Sequence, residues 1–210
     1  MTECSLVLAR GAADAGERIG AVRPAHIDLL RRMAEAGELI LGVPLMDAAG
    51  QNRGSLMLVQ TEALARYLDA EPFRREGIWE SHAVHRFRVA PLPYRPFPDG
   101  PAPALPTHSI AVAYDGTDAE APARRLAVRD AHLARVRPAA EDGTLALGGA
   151  ILDAEGRMTG SVAVTAHPTV EAAQAWWSTD PYVTGGVWRD VRWHATRFAP
   201  LPYRSLPGAA

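Results

Sequence analysis

The chain is poor in the features that would place it quickly. It has a single cysteine, Cys4, so no internal disulfide can form, which fits a reducing compartment. Aromatic residues make up only 7% of it. No apolar run reaches the roughly 18–20 residues that a membrane helix requires. The N-terminal stretch from Met1 to Cys4 has no cationic segment and no long apolar core behind it, so no secretory leader is expected. The expected location is the cytoplasm, with no membrane contact. Charge of one sign is also lacking. The net charge is −2, which implies no basic face, and nucleic acid is not an expected partner. What remains is an ordinary globular balance, 48% hydrophobic and 22% charged, over 210 residues. That length allows one or two domains.

Self-similarity decides between them. Gly37–Val59 aligns on Gly143–Thr165, with Gly37, Leu39, Leu41, Gly42, Asp47, Gly50, Gly54 and Ser55 recurring in order. Arg23 and His26 fall on Arg129 and His132. Further along, Glu71-Pro72-Phe73 meets Asp180-Pro181-Tyr182, His85 meets His194, and Ala90-Pro-Leu-Pro-Tyr-Arg95 recurs as Ala199-Pro-Leu-Pro-Tyr-Arg204. The chain is therefore divided into a first copy at residues 1–95, a proline-rich linker at 96–107 and a second copy at 108–210. The recurring APLPYR stretch belongs to each copy, as an arm lying on the domain.

Within one copy, Cys4–Arg10 reads as a strand. Pro24 suits the first turn of a helix, and Ile27, Leu30, Met33 and Ala34 follow helical spacing until Gly37 stops it. In the second copy Leu133, Val136, Ala139 and Ala140 repeat this spacing before Gly143. Leu39–Met46 and Gly54–Gln60 are strands around turn residues, Glu62–Asp69 is a second helix, and Ile78–Val89 is a last strand. The order β-α-β-β-α-β is the ferredoxin-like arrangement, an α+β class. Two such units in tandem, packed sheet to sheet, let each cover the other's open face.

The candidate chemistry lies in residues that recur. Arg23 and His26 share a helix face at i,i+3 spacing, as do Arg129 and His132. Histidine moves protons near neutral pH. On this reading it lies at a helix start, where the helix N-terminus disfavours its charged form. Asp47 and Asp153 are candidates to orient His26 and His132, fix their tautomers and leave one nitrogen free as a base. The arginines suit a substrate carboxylate or phenolate. Asp before Gly is equally ordinary turn chemistry. Ser55 and Ser161 could meet a substrate oxygen, while His85, His194 and most tryptophans read as packing. His26 and Asp47 supply two ligands where a catalytic zinc wants three, so no metal is expected. No G-x-G-x-x-G, P-loop or nucleophile elbow occurs, and no cofactor is expected.

These residues, taken in order, make the chain resemble the YCII-related (YciI-like) domain family. The resemblance rests on Arg23-x-x-His26, Gly37 to Gly42, Asp47-x-x-Gly50 and Gly54-Ser55, with their second-copy counterparts and Asp180-Pro181-Tyr182. It implies the dimeric α+β barrel fold, here closed within one chain, with His and Asp as active-site residues and Asp180 and Tyr182 at the substrate. A dehydrochlorinase of chloroaromatic breakdown shares the fold, which suggests acid–base chemistry of lyase or isomerase type on a small anionic or aromatic molecule. Val43-Pro44 in the first copy and Gly149-Ala150 in the second depart from the family's Gly-Pro, and Glu71-Pro72-Phe73 departs from its Asp-Pro-Tyr, so the second copy is expected to be the closer to family chemistry. Two other readings remain open at this point. One is a non-catalytic small-molecule-binding protein using the same clefts. The other is an interaction module, and the tandem chains could pair further as a homo-oligomer.

Overall fold

The computed structural model describes residues 3–206. The first copy runs β1 (Glu3–Gly11), α1 (Ala15–Ala36), β2 (Leu39–Met46), β3 (Asn52–Val59), α2 (Leu64–Ala70), α3 (Pro72–Arg75) and β4 (Trp79–Val89). The second runs β5 (His108–Asp115), α4 (Ala121–Asp142), β6 (Leu145–Leu152), β7 (Met158–Thr165), α5 (Val170–Trp177), α6 (Pro181–Thr184) and β8 (Trp188–Thr196). The strands fall within two residues of where the sequence places them. The first long helix does not start where Pro24 suggested. Pro24 and Pro138 lie inside α1 and α4, each 22 residues long. Gly16 and Gly20 in the first turns of α1 each cost about 1 kcal/mol against alanine, which hides that half from a spacing rule. Gly37 and Gly143 end the helices at φ 75° and 89°, a left-handed cap suited to glycine. His26 and His132 are thus in mid-helix, and the helix N-terminus does not act on either. No helix among the described residues is long and apolar enough to cross a membrane.

Each copy forms a four-stranded antiparallel sheet, and the two join edge to edge as a closed barrel in the order β1-β3-β2-β8-β5-β7-β6-β4. Strand alternation sorts the side chains. Leu6, Leu56, Leu58 and Phe87 pack with Ile110, Val162 and Val164 in one core shared by both sheets. Val7, Met57 and Val59 take the opposite face and pack with Leu30 and Met33 of α1. Cys4 is in the shared core, and burial pushes its thiol up to about 12, far from a reactive thiolate. Gly54 and Gly160, third in their strands, lie against the neighbouring backbone. A Cβ there would stand 2.0 Å from the Ala9 carbonyl oxygen or 2.5 Å from that of Ala113.

The two junctions that close the barrel differ. β4 meets β6 over four register pairs, from Arg86↔Leu152 to Val89↔Gly149. β2 meets β8 at a single pair, Met46↔Ala195. Pro44 has no N–H to give to a ladder, whereas the matching β6 position is Ala150. The Thr196 hydroxyl bonds the Pro44 carbonyl at 2.7 Å instead.

The APLPYR arms cross over. Tyr94 of the first copy accepts from the Gly148 N–H at 3.1 Å and donates to the Gly148 carbonyl at 2.9 Å, both on β6. Tyr203 does the same to Gly42 on β2, at 3.2 and 2.9 Å. Arg95 then reaches the Glu141 carbonyl at the end of α4, and Arg204 the Ala36 carbonyl at the end of α1. A cation at a helix C-terminus is favoured. Each arm therefore lies on the other copy.

His108 opens β5 against Phe198, with Nδ1 2.8 Å from the Thr107 hydroxyl. Burial first, and then the charge of His167, lowers its pKa from 6.5 to about 4. The folded state resists a proton that the unfolded chain accepts, so the contribution to stability is whole above pH 6.5 and is lost as pH falls toward 4. The denaturation midpoint should drop across that window, and His108→Gln should flatten the drop. An equally steep decline in the variant would rule His108 out as its source.

Candidate active site

A short local signature builds each site. Glu71 and Asp180 are helix N-caps, accepting from the N–H of Phe73 at 2.9 Å and of Tyr182 at 2.8 Å. Pro72 and Pro181 follow at the first helical position, where the missing N–H costs nothing. The aromatic residue next in line is then fixed beside its own carboxylate. Both carboxylates are fully buried.

Each carboxylate takes a second partner from the long helix. His26 Nδ1 lies 2.7 Å from Glu71 Oε1, and His132 Nδ1 lies 2.9 and 3.1 Å from the two Asp180 oxygens. The rings stack on the aromatics. His26 lies on Phe73 at 3.9 Å and His132 on Tyr182 at 3.7 Å, both tilted by 10°. A carboxylate facing Nδ1 accepts from it, so in the neutral ring Nδ1 carries the hydrogen and Nε2 holds the free lone pair. Stacking stops the ring from turning. The result is an oriented imidazole with one open basic nitrogen.

Asp47 and Asp153 do not supply this partner, which corrects the expected pairing. Asp47 accepts from the N–H groups of Ala49 and Gln51 and from Arg53 Nε, all at 2.8–2.9 Å. Asp153 accepts from the Arg157 N–H at 2.8 Å and from Arg157 Nε at 2.7 Å. Both serve their β-turns, as Asp before Gly allows. The Gln51 N–H first and then Arg53 hold Asp47 below the usual carboxylate range, and Arg157 does so for Asp153. Asp180 stands behind His132 rather than at the cavity wall. Glu71 has the same role as Asp180, so Glu71-Pro72-Phe73 is the same device with one more methylene.

The other expected residues converge on two cavities between the long helices and the sheets. The second, of about 390 Å³, is lined by Arg129, His132, Ser161 and Tyr182, with Trp177 and Trp188 as further walls. The first, of about 230 Å³, is lined by Arg23, His26 and Ser55, with Phe73 below the histidine. Both are completed across the barrel. Leu92 of the first arm walls the second cavity, and Phe198 before the second arm walls the first. His85 and His194 lie elsewhere, paired across the ladders with Leu6 and Ile110, and burial lowers both.

The carboxylates are supported differently. Asp180 also faces Arg135 Nη1 at 3.4 Å, and that guanidinium lies over Trp176 at 4.0 Å. Leu29 stands at the Arg135 position in the first copy, where Tyr67 lies beside Glu71 instead. Burial, and then the Glu71 charge, raises that phenol.

Fold and site together define a tandem α+β barrel with one histidine–carboxylate cavity per copy. The chain belongs to the YCII-related domain family, whose pattern it matches twice, at residues 5–88 and 109–194. It is 36% identical to Protein YciI of Escherichia coli O6:H1 over 86 residues, which are 38% of this chain and 88% of that protein. It is 39% identical over 74 residues to an uncharacterized protein of Haemophilus influenzae, covering 32% of this chain and 76% of the other. These relatives have the length of one copy. The whole barrel overlays on a chlorite dismutase variant from Candidatus Nitrospira defluvii with TM-score 0.57. The identity is 13%, over 95% of this chain and 92% of that one, and carries the fold alone.

Proposed function

We propose that the second copy is a cofactor-independent acid–base site of lyase or isomerase type, dehydrochlorinase-like, acting on a small anionic or aromatic molecule. The observation that supports this is His132, held at Nδ1 by buried Asp180, clamped on Tyr182 and bordering the larger cavity. Nε2 takes a proton from the bound molecule while Arg129 faces its anionic oxygen. The electron pair left behind either returns to a proton delivered at another atom, an isomerisation, or expels a leaving group such as chloride, an elimination. Lysine and cysteine chemistry do not compete. The chain has no lysine for a Schiff base, and its one thiol is buried.

The test incubates the protein with small phenols and aromatic carboxylates, chlorinated and not, in D₂O. NMR follows deuterium incorporation and an electrode follows chloride. We expect turnover that His132→Ala lowers by about 10²–10⁴-fold, the range for general acid–base catalysis. Turnover unaffected by that change would defeat the proposal. Ligands that bind and emerge unchanged would favour a binding protein instead.

A further inference from the structure

The Ser161 hydroxyl is fully engaged as an acceptor. It accepts from the Trp188 indole N–H at 3.2 Å and from Arg125 Nη2 at 2.9 Å. A hydroxyl has two lone pairs and one hydrogen. With both lone pairs taken, only the hydrogen is left, and no group among the described residues accepts it. Ser161 is buried and lines the larger cavity, so that hydrogen is available to whatever enters.

Arg125 can impose this because it is itself pinned. Its Nη1 lies 2.9 and 2.8 Å from the two Asp115 oxygens, and its guanidinium carbon lies 4.5 Å from the centre of the Tyr182 ring. The two side chains of this ion pair are 4% and 5% exposed. Buried charge of this kind is costly unless paired, and here it is retained beside a cavity. Arg125 Nε, also buried, has no partner. Arg129 lines the same cavity and makes no ion pair among the described residues.

The first copy has Arg23 in the place of Arg129 but lacks the buried ion pair. Ile19 stands at the Arg125 position, and Gly11 at that of Asp115, since Gly11 pairs with Trp79 as Asp115 pairs with Trp188. Ser55 accepts only from the Trp79 indole at 3.2 Å and keeps a lone pair, so it can donate or accept.

We infer that Ser161, fixed as a donor by the Arg125–Asp115 pair and flanked by Arg129, is an oxyanion subsite. It selects ligands bearing a carboxylate or phenolate, and the first cavity lacks that selection. Arg125 is a positioning residue acting through Ser161. The inference rests on reading the cavity as a ligand site, but it does not require His132 to transfer a proton.

Two indole resonances make the test site-specific. Trp188 reports on Ser161 and Trp79 on Ser55, each assigned with its Trp→Phe variant. The full chain is titrated with sodium benzoate and with benzamide, which match in shape and differ in charge. Benzoate should shift the Trp188 indole proton saturably and bind at least about tenfold tighter than benzamide, as a charge-assisted hydrogen bond implies. The Trp79 resonance should show no such preference. The Asp115→Gly/Arg125→Ile variant, which carries the first copy's residues, should bring the ratio near one and leave benzamide binding in place. Arg125→Lys keeps the charge but not the fork and should lower the ratio too. Ser161→Ala tests the same point without touching the ion pair. A ratio that survives Ser161→Ala, or benzoate that leaves Trp188 unmoved, overturns the inference. His132→Ala should keep the ratio while turnover falls, so the two proposals can fail separately.

Discussion

Asparagine at position 180 should lower turnover at the second site by about 10²–10⁴-fold while the protein stays folded. Asn is as good a helix N-cap as Asp, so Oδ1 can still accept from the Tyr182 N–H and α6 keeps its start. The difference falls on His132. An amide nitrogen facing Nδ1 donates, which moves the ring proton to Nε2 and removes the base from the cavity. The ring itself, stacked on Tyr182, stays where it was. Two measurements check this. The ¹⁵N shifts of the His132 ring should report an Nδ1–H tautomer in the native protein and Nε2–H in Asp180→Asn. The rate should fall with the tautomer change. Asp153→Asn is the control, since it weakens only a turn held by Arg157 and should leave both readouts alone. An Asp180→Asn protein with the native tautomer and rate would show that the buried carboxylate does not orient the base.

This control marks how far the sequence could be read. The duplication was plain, and Arg-x-x-His was found because helical spacing alone puts both side chains on one face. The partner of the histidine was not found by spacing, because it comes from a separate short helix 45 residues away in the first copy and 48 in the second. Asp47 and Asp153, conspicuous before their glycines, drew the assignment instead. The sequence did contain a signal for the right pair, an acidic residue, then proline, then an aromatic, in both copies. Glu71-Pro72-Phe73 and Asp180-Pro181-Tyr182 differ in two side chains but share one N-cap geometry. Arg125 and Asp115 were invisible for the opposite reason. They occur in one copy only, and a search for recurrence passes over what makes the copies differ. Arm exchange is likewise not a local property. The stretch from Ala90 to Arg95 reads as an arm packing on a domain, but which domain depends on barrel closure, which puts Tyr94 against Gly148.

Tyr94→Ala should be the most destabilising change in the arms, and it measures how far the two copies act as one cooperative unit. The ring is 1% exposed and lies in the core shared by both sheets. Deleting a buried aromatic typically costs about 3–5 kcal/mol. The Gly148 N–H would also lose its acceptor, while its carbonyl keeps the Ala90 N–H at 2.9 Å, and a buried polar group left unmet costs about 1–3 kcal/mol. Against a total stability of about 5–15 kcal/mol, such a loss is large. Tyr94→Phe separates the two parts, keeping the ring and leaving only the Gly148 N–H unmet, so its cost should be the smaller. The barrel closes through β4–β6 and β2–β8, so neither copy can lose its arm's anchorage alone. Urea denaturation should therefore show one transition moved to lower midpoint with its slope retained. Leu92 lines the second cavity, so binding there should weaken in parallel. Two separate transitions, or a midpoint unmoved by Tyr94→Ala, would mean that the copies are independent and the arm contact is incidental.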